Sequence, residues 1–193
     1  MRIINRAKRG FTLVELMIVV AIVGVLAALA IYGVRRYIIN AKTAEARNSL
    51  GRLAKDAASA YNREGMAATV LALGTSTGIT NRLCNTSTLV PATTAAIQGK
   101  KYQSKPTEWQ AGDQYTGWQC VKFSMGDPQY FQYAYSASGT TGAAGETFTA
   151  SARGDLDGDA SLSTFSLAGS IANDNANLVA TIAPNIGEIL PDE

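Results

Sequence analysis

The chain contains no histidine. That absence excludes Ser-His-Asp and Cys-His arrangements, histidine-ligated zinc, and any side chain that titrates near neutrality in an unperturbed environment. It also has no GxxxxGK[ST] loop and no dinucleotide fingerprint, so no phosphate cradle is encoded. Cysteine is limited to Cys84 and Cys120. A surplus of basic charge is missing from most of the chain. Of 17 Lys and Arg, Arg2, Arg6, Lys8 and Arg9 come first, leaving 13 against 15 acids, a body near −2. Nucleic-acid binding is therefore unsupported by charge. The local cluster Lys100, Lys101 and Lys105 reads as a solvated loop.

Long apolar runs are lacking after Val34, and one dominates before it. FTLVELMIVVAIVGVLAALAIYGV, from Phe11 to Val34, carries Glu15 as its single charge. Its charge-free part, Leu16 to Val34, spans about 29 Å as a helix, matching a hydrocarbon core of ~30 Å. Basic residues ahead of such a run stay in the cytoplasm, so residues 1–10 are expected inside and everything after the span outside. A cleaved secretory signal is one reading, with Ala28-Leu29-Ala30 as its small-x-small site. The run is longer than the ~7–15 apolar residues of a signal core, and Glu15 has no place in one. A plain single-span anchor is another, and it too leaves Glu15 unexplained. An intramembrane carboxylate costs about 2.5–3.5 kcal/mol at the bilayer centre, less near an end, and usually has a partner.

A basic leader, then Gly10-Phe11-Thr12-Leu13-Val14-Glu15-Leu16, then MIVVAIVGVLAALAI, resembles the cleavage and methylation segment of the type IV pilin and pseudopilin family over about residues 6–50. The resemblance implies that an inner-membrane prepilin peptidase cuts after Gly10 and methylates the new amino terminus at Phe11, and that Glu15 serves assembly. Cutting removes four positive charges and creates an ammonium on Phe11, four residues from Glu15 and on the same helix face. In a stacked array, the carboxylate of an incoming subunit pairs with a neighbour's ammonium and selects one axial register, since a misplaced subunit leaves both charges unpaired. Many family members have a proline where this chain has Tyr32, so no proline kink is expected. Gly24 and Gly33 are the weak points of the helix interior.

The resemblance implies an α+β, pilin-like fold. Residues 1–10 form a cleaved leader, 11–34 a transmembrane and filament-core helix, 35–64 its amphipathic continuation, and 65–193 an extracytoplasmic head. Tyr37, Ala41, Ala44, Leu50, Leu53, Ala57 and Tyr61 fall near a 3.6 period, with Lys42, Glu45, Arg52, Lys55 and Asp56 left for other faces. One helix is expected from Phe11 to Arg63, ending before Gly65. Met66 to Thr116 reads as loop with short elements. Alternation at Val121/Phe123/Met125, Phe131/Tyr133/Tyr135, Phe148/Ala150/Ala152 and Phe165/Leu167 predicts four antiparallel strands covering the helix from Leu50 to Tyr61. Asp127-Pro128, Gly139 to Gly145 and Gly154 to Asp159 are the turns.

Two cysteines in a part expected outside predict a Cys84–Cys120 disulfide. Asp155-Leu156-Asp157-Gly158-Asp159-Ala160-Ser161 sets acids at every second position, and Asp155, Asp157, Asp159 and Ser161 make a candidate structural calcium loop. An EF-hand has glycine sixth and glutamate twelfth, where this chain has Ala160 and Ser166. The competing reading is a polar hairpin turn, with Asp-Gly supplying positive φ. No other cofactor is expected. The function implied by the resemblance is a non-enzymatic, self-assembling subunit of a type IV pilus, serving attachment, twitching motility or DNA uptake. Its partners are the peptidase, the assembly platform and the membrane, and it ends in an extracellular filament. The alternatives are a pseudopilin of a type II secretion system, in a periplasmic pseudopilus, or a membrane-tethered enzyme or binding domain.

Overall fold

The computed structural model describes residues 10–63, 65, 71–175 and 177–191. The basic leader through Arg9 and the start of the expected loop, 66–70, lie outside the described residues. By its internal contacts the chain divides into Met1–Ile38 and Ile39–Glu193. Helix α1, Leu13–Tyr61, supplies residues to both. It starts two residues after the expected Phe11 and ends two before Arg63.

In the first unit every described residue, Gly10 to Ile38, is exposed in the isolated chain. The helix here is long and apolar enough to cross a membrane. It runs unbroken through Gly24, Tyr32 and Gly33.

The second unit has its own core. Its stretch of α1 buries Thr43, Ala46, Leu50, Leu53, Ala54, Ala57, Ala60 and Tyr61. Leu50, Leu53, Ala57 and Tyr61 are where periodicity put them, but Tyr37, Ala41 and Ala44 are exposed. The stripe starts at Thr43, a polar residue that a count of apolar positions passes over. Its hydroxyl donates to Asn40 O (3.0 Å) and accepts from Arg47 Nη1 (3.3 Å), so it is buried without an unmet hydrogen bond.

Three of the expected strands form: β1 Phe131–Ser138, β2 Thr147–Gly154 and β3 Ser163–Asp174. Two more, β4 Asn177–Ile182 and β5 Gly187–Ile189, complete an antiparallel sheet. β1, β2 and β3 are consecutive neighbours, while β4 and β5 pair with different halves of β3. The Gly139 to Gly145 and Gly154 to Asp159 segments lead between strands as expected. Val121/Phe123/Met125 is not a strand. Gly117–Val121 is a short helix, α2, and Lys122 takes φ 62 with its N–H on Trp118 O (2.7 Å). That reversal sends both Val121 and Phe123 into the core.

On the buried face, large side chains sit opposite small ones. Tyr133 pairs with Ala152 and Ala152 with Phe165; Tyr135 pairs with Ala150 and Ala150 with Leu167. At Gly154 a Cβ would lie 2.6 Å from the Phe131 ring, and at Gly169 one would lie 2.2 Å from the Phe148 ring. The sheet and the α1 stripe thus close over one apolar cluster, continued by Trp109, Trp118 and Phe123 in edge and tilted contacts.

The irregular segment before the sheet is stitched to it rather than loose. Val90 exchanges both backbone hydrogen bonds with Tyr133, and Ser87 N donates to Tyr135 O, which covers the outer edge of β1. Cys84 and Cys120 are joined, with Cα atoms 5.7 Å apart. Around that bond Asn85 N donates to Tyr115 O and Trp118 Nε1 to Thr88 O (both 2.9 Å). Just past the end of α1, Arg63 donates to Cys120 O, and from within the helix Arg52 donates to Ser124 O while lying 4.4 Å from the Phe123 ring.

Candidate processing and assembly segment

Gly10 and Phe11 precede α1 in irregular, exposed backbone. Thr12 is the last residue before the helix. Its N–H and its hydroxyl both donate to Glu15 Oε2, at 2.8 and 2.7 Å. Glu15 N points back at Thr12 Oγ1 (3.3 Å), and Leu16 N reaches Thr12 O (3.2 Å), the first helical bond. This is a capping box: the N-cap threonine and the glutamate three residues on satisfy each other's backbone donors. A carboxylate in the first turn also faces the positive end of the helix dipole. The sequence signal for Thr12 is the S/T-x-x-E spacing from Thr12 to Glu15. At the far end of the apolar stretch Arg36 Nη1 donates to the Tyr32 phenol (3.3 Å), a pairing that suits a polar-apolar boundary.

In the head, the Asp155 loop is held by its own backbone. Asp155 is fully buried, and its two carboxylate oxygens accept from Gly158 N (2.6 Å) and Ala160 N (3.0 Å). Asp157 accepts from Asp159 N (3.3 Å) and Asp159 from Ser161 N (2.6 Å). Gly158, at φ +87, supplies the left-handed turn expected of Asp-Gly, and Ala160 follows at φ 76. Lys42 Nζ lies 3.5 Å from Leu156 O and Gly99 N donates to Asp155 O (2.9 Å), tying the loop to α1 and to the preceding segment. The three carboxylates offer ligand atoms within 4.8 Å of one another. Ca²⁺ wants six to eight oxygens, and both of Asp155 are already engaged by N–H donors.

Glu45, expected on a solvated face, is instead turned into the head. Its carboxylate accepts from Tyr130 N (3.0 Å) and the Tyr133 hydroxyl (3.3 Å). Burial pushes its pKa up, against the pull of those two hydrogen bonds and of Lys101. Lys101 and Lys42 both lie over the Tyr130 ring, at 4.7 and 4.9 Å. Lys100, Lys101 and Lys105 are all exposed, as a solvated cluster should be, and the Lys101 contact with the ring is made at the surface.

Residues 5–31 match the model of the prokaryotic N-terminal methylation motif. The chain is 32% identical to the fimbrial protein EcpC of Eikenella corrodens over 66% of its own length and 90% of that protein's. It is 51% identical to the type IV major pilin protein PilA of Myxococcus xanthus over 25% of its length, and 48% identical to the type IV major alpha-pilin of Moraxella bovis over 27%. These last two matches span only 22% and 34% of the respective pilins. No solved structure matches the chain. With the methylation motif at its start, a long apolar helix, an antiparallel head and a relative matched over nearly its whole length, the chain belongs to the type IV pilin family of fimbrial proteins.

Proposed function

We propose that this chain is a structural, non-enzymatic subunit that inserts in the cytoplasmic membrane and is then built into an extracellular type IV pilus. One observation carries the reading. The segment bearing the methylation motif continues as a helix whose described residues to Ile38 are all uncovered, while the head has a core of its own. Twenty or more apolar residues do not stay in water, so lipid covers them first and other copies of the same helix cover them later. Processing after Gly10 by a prepilin peptidase, methylation of Phe11 and hand-over to an assembly platform follow from that reading. Attachment, motility or DNA uptake is the purpose the filament would serve.

Material sheared from the cell surface tests this. Filaments containing the chain are expected there under the electron microscope, and a chain confined to membranes and periplasm would favour the pseudopilus instead. We further propose that the Asp155 to Ser161 loop is a backbone-capped turn that folds without a cation. Millimolar calcium should leave the melting temperature unchanged, whereas a rise that Asp157→Ala abolishes would establish a metal site.

A further inference from the structure

We propose that the open edge of β4 is a self-recognition surface through which copies of this chain in neighbouring filaments pair strand to strand. The proposal rests on the filament reading above. The fold treats the two edges of its sheet differently. The outer edge of β1 is covered by Ser87 and Val90. On the far side β4 pairs with β3, and no described residue bonds to its other edge. Ala183 N donates to Ala168 O, and antiparallel alternation continues that inward-facing set through Thr181 and Val179. The N–H and C=O groups of Leu178, Ala180 and Ile182 therefore point away from the sheet. Nothing in the strand blunts that edge. Asn177–Ile182, NLVATI, has neither the charges nor the proline that usually do so, and Leu178 and Val179 are each 40% exposed.

The strand fits a second copy of itself. With a twofold axis at Ala180, two antiparallel copies set Ala180 against the partner's Ala180 and Leu178 against the partner's Ile182. Each of these pairs exchanges both backbone hydrogen bonds, so all three outward N–H groups and all three outward C=O groups of each copy are met. On the opposite face Val179 lies against the partner's Thr181. Apolar and β-branched pairs of this kind favour the contact, and no like charges oppose each other. A twofold contact uses one patch on both copies and closes on itself, whereas the contacts that propagate a filament are heterologous. Pairing through β4 thus ties filaments together instead of lengthening one. Six residues extend about 20 Å, and one edge of that length falls well short of the roughly 1,200–2,000 Å² that holds a stable pair. Single heads stay apart, while many edges along two filaments act together.

Sheared filaments of the full chain test this by low-speed sedimentation and electron microscopy. The unsubstituted filaments are expected to sediment as bundles. Because the contact holds no charge, raising the salt concentration should not disperse them. Val179→Lys and Thr181→Glu, both at exposed positions, each bring like charges together across the contact. Each should cut the sedimenting fraction on the order of tenfold while filaments still form. Mixing the two kinds of variant filament should restore bundles, since the introduced charges then face each other with opposite sign. Unsubstituted filaments that stay dispersed, bundles that salt dissolves, charged variants that bundle unchanged, or a mixture that stays dispersed would each overturn the proposal. If one charged variant makes no filaments, the other and the salt series decide. Absence of filaments from the unsubstituted chain would overturn the pilus reading and this one with it, a result distinct from dispersed filaments.

Discussion

Gly169 shows how tightly single residues set the head. A Cβ there would meet the Phe148 ring at 2.2 Å and the backbone Thr181 O at 2.7 Å. Neither neighbour can give way without moving a strand. Gly169→Ala is expected to cost roughly 1–3 kcal/mol, the usual range for overpacking. Thermal unfolding should show a lowered melting temperature, and an unchanged one would mean the β2–β3–β4 packing is looser than described. At Glu45 the sign of the pH dependence is set by burial. Unfolded, the carboxyl titrates near 4.5; folded, it titrates higher. Between those values the native state binds more protons, so head stability falls as pH rises through that window. Glu188 works in the opposite sense, since its bond to Arg47 Nε (2.7 Å) lowers its pKa and adds stability that is lost as pH falls. Glu45→Gln should therefore flatten the decline on the rising side of pH 4.5, read as melting temperature against pH. An unaltered slope there would mean that the carboxylate is not desolvated.

At the scale of elements, legibility followed burial pattern. β2 and β3 alternate because one face of each packs on the core, and β1 alternates in its large apolar residues Phe131, Tyr133 and Tyr135 although Gln132 between them is buried too; that alternation is what a sequence displays. β4, NLVATI, has no fully buried residue, so the signal that marks a half-buried strand is missing from it. The alternation at Val121, Phe123 and Met125 was real but came from a helical turn followed by a left-handed residue, a geometry that the period of two cannot distinguish from a strand. The disulfide was legible from compartment and number alone. It closes a sequence separation of 36 residues that otherwise contains only short helical turns. The chain-entropy model assigns such a closure about 4 kcal/mol. Cys84→Ser with Cys120→Ser should lose stability of that order, with titration of the unreduced, denatured wild type finding no free thiol. Two free thiols would contradict the bond.

For the whole molecule, the first unit announced its role and the second announced only its fold. Glu15 stood out because a charge in an apolar run must be explained. Thr12 did not, because its contribution is two hydrogen bonds rather than a charge. The methylation motif could be read because it is a local chemical pattern, while the surface a head presents to others is a matter of shape that no short pattern encodes. The central claim is that this chain is cut after Gly10 and assembled outside the cell. The measurement that tests it most directly is the intact mass and N-terminal sequence of the protein in surface-sheared material. The account predicts a chain beginning at N-methylated Phe11. A terminus at Met1, the mark of an uncut anchor, or at Ile31, the mark of an ordinary signal, would contradict it.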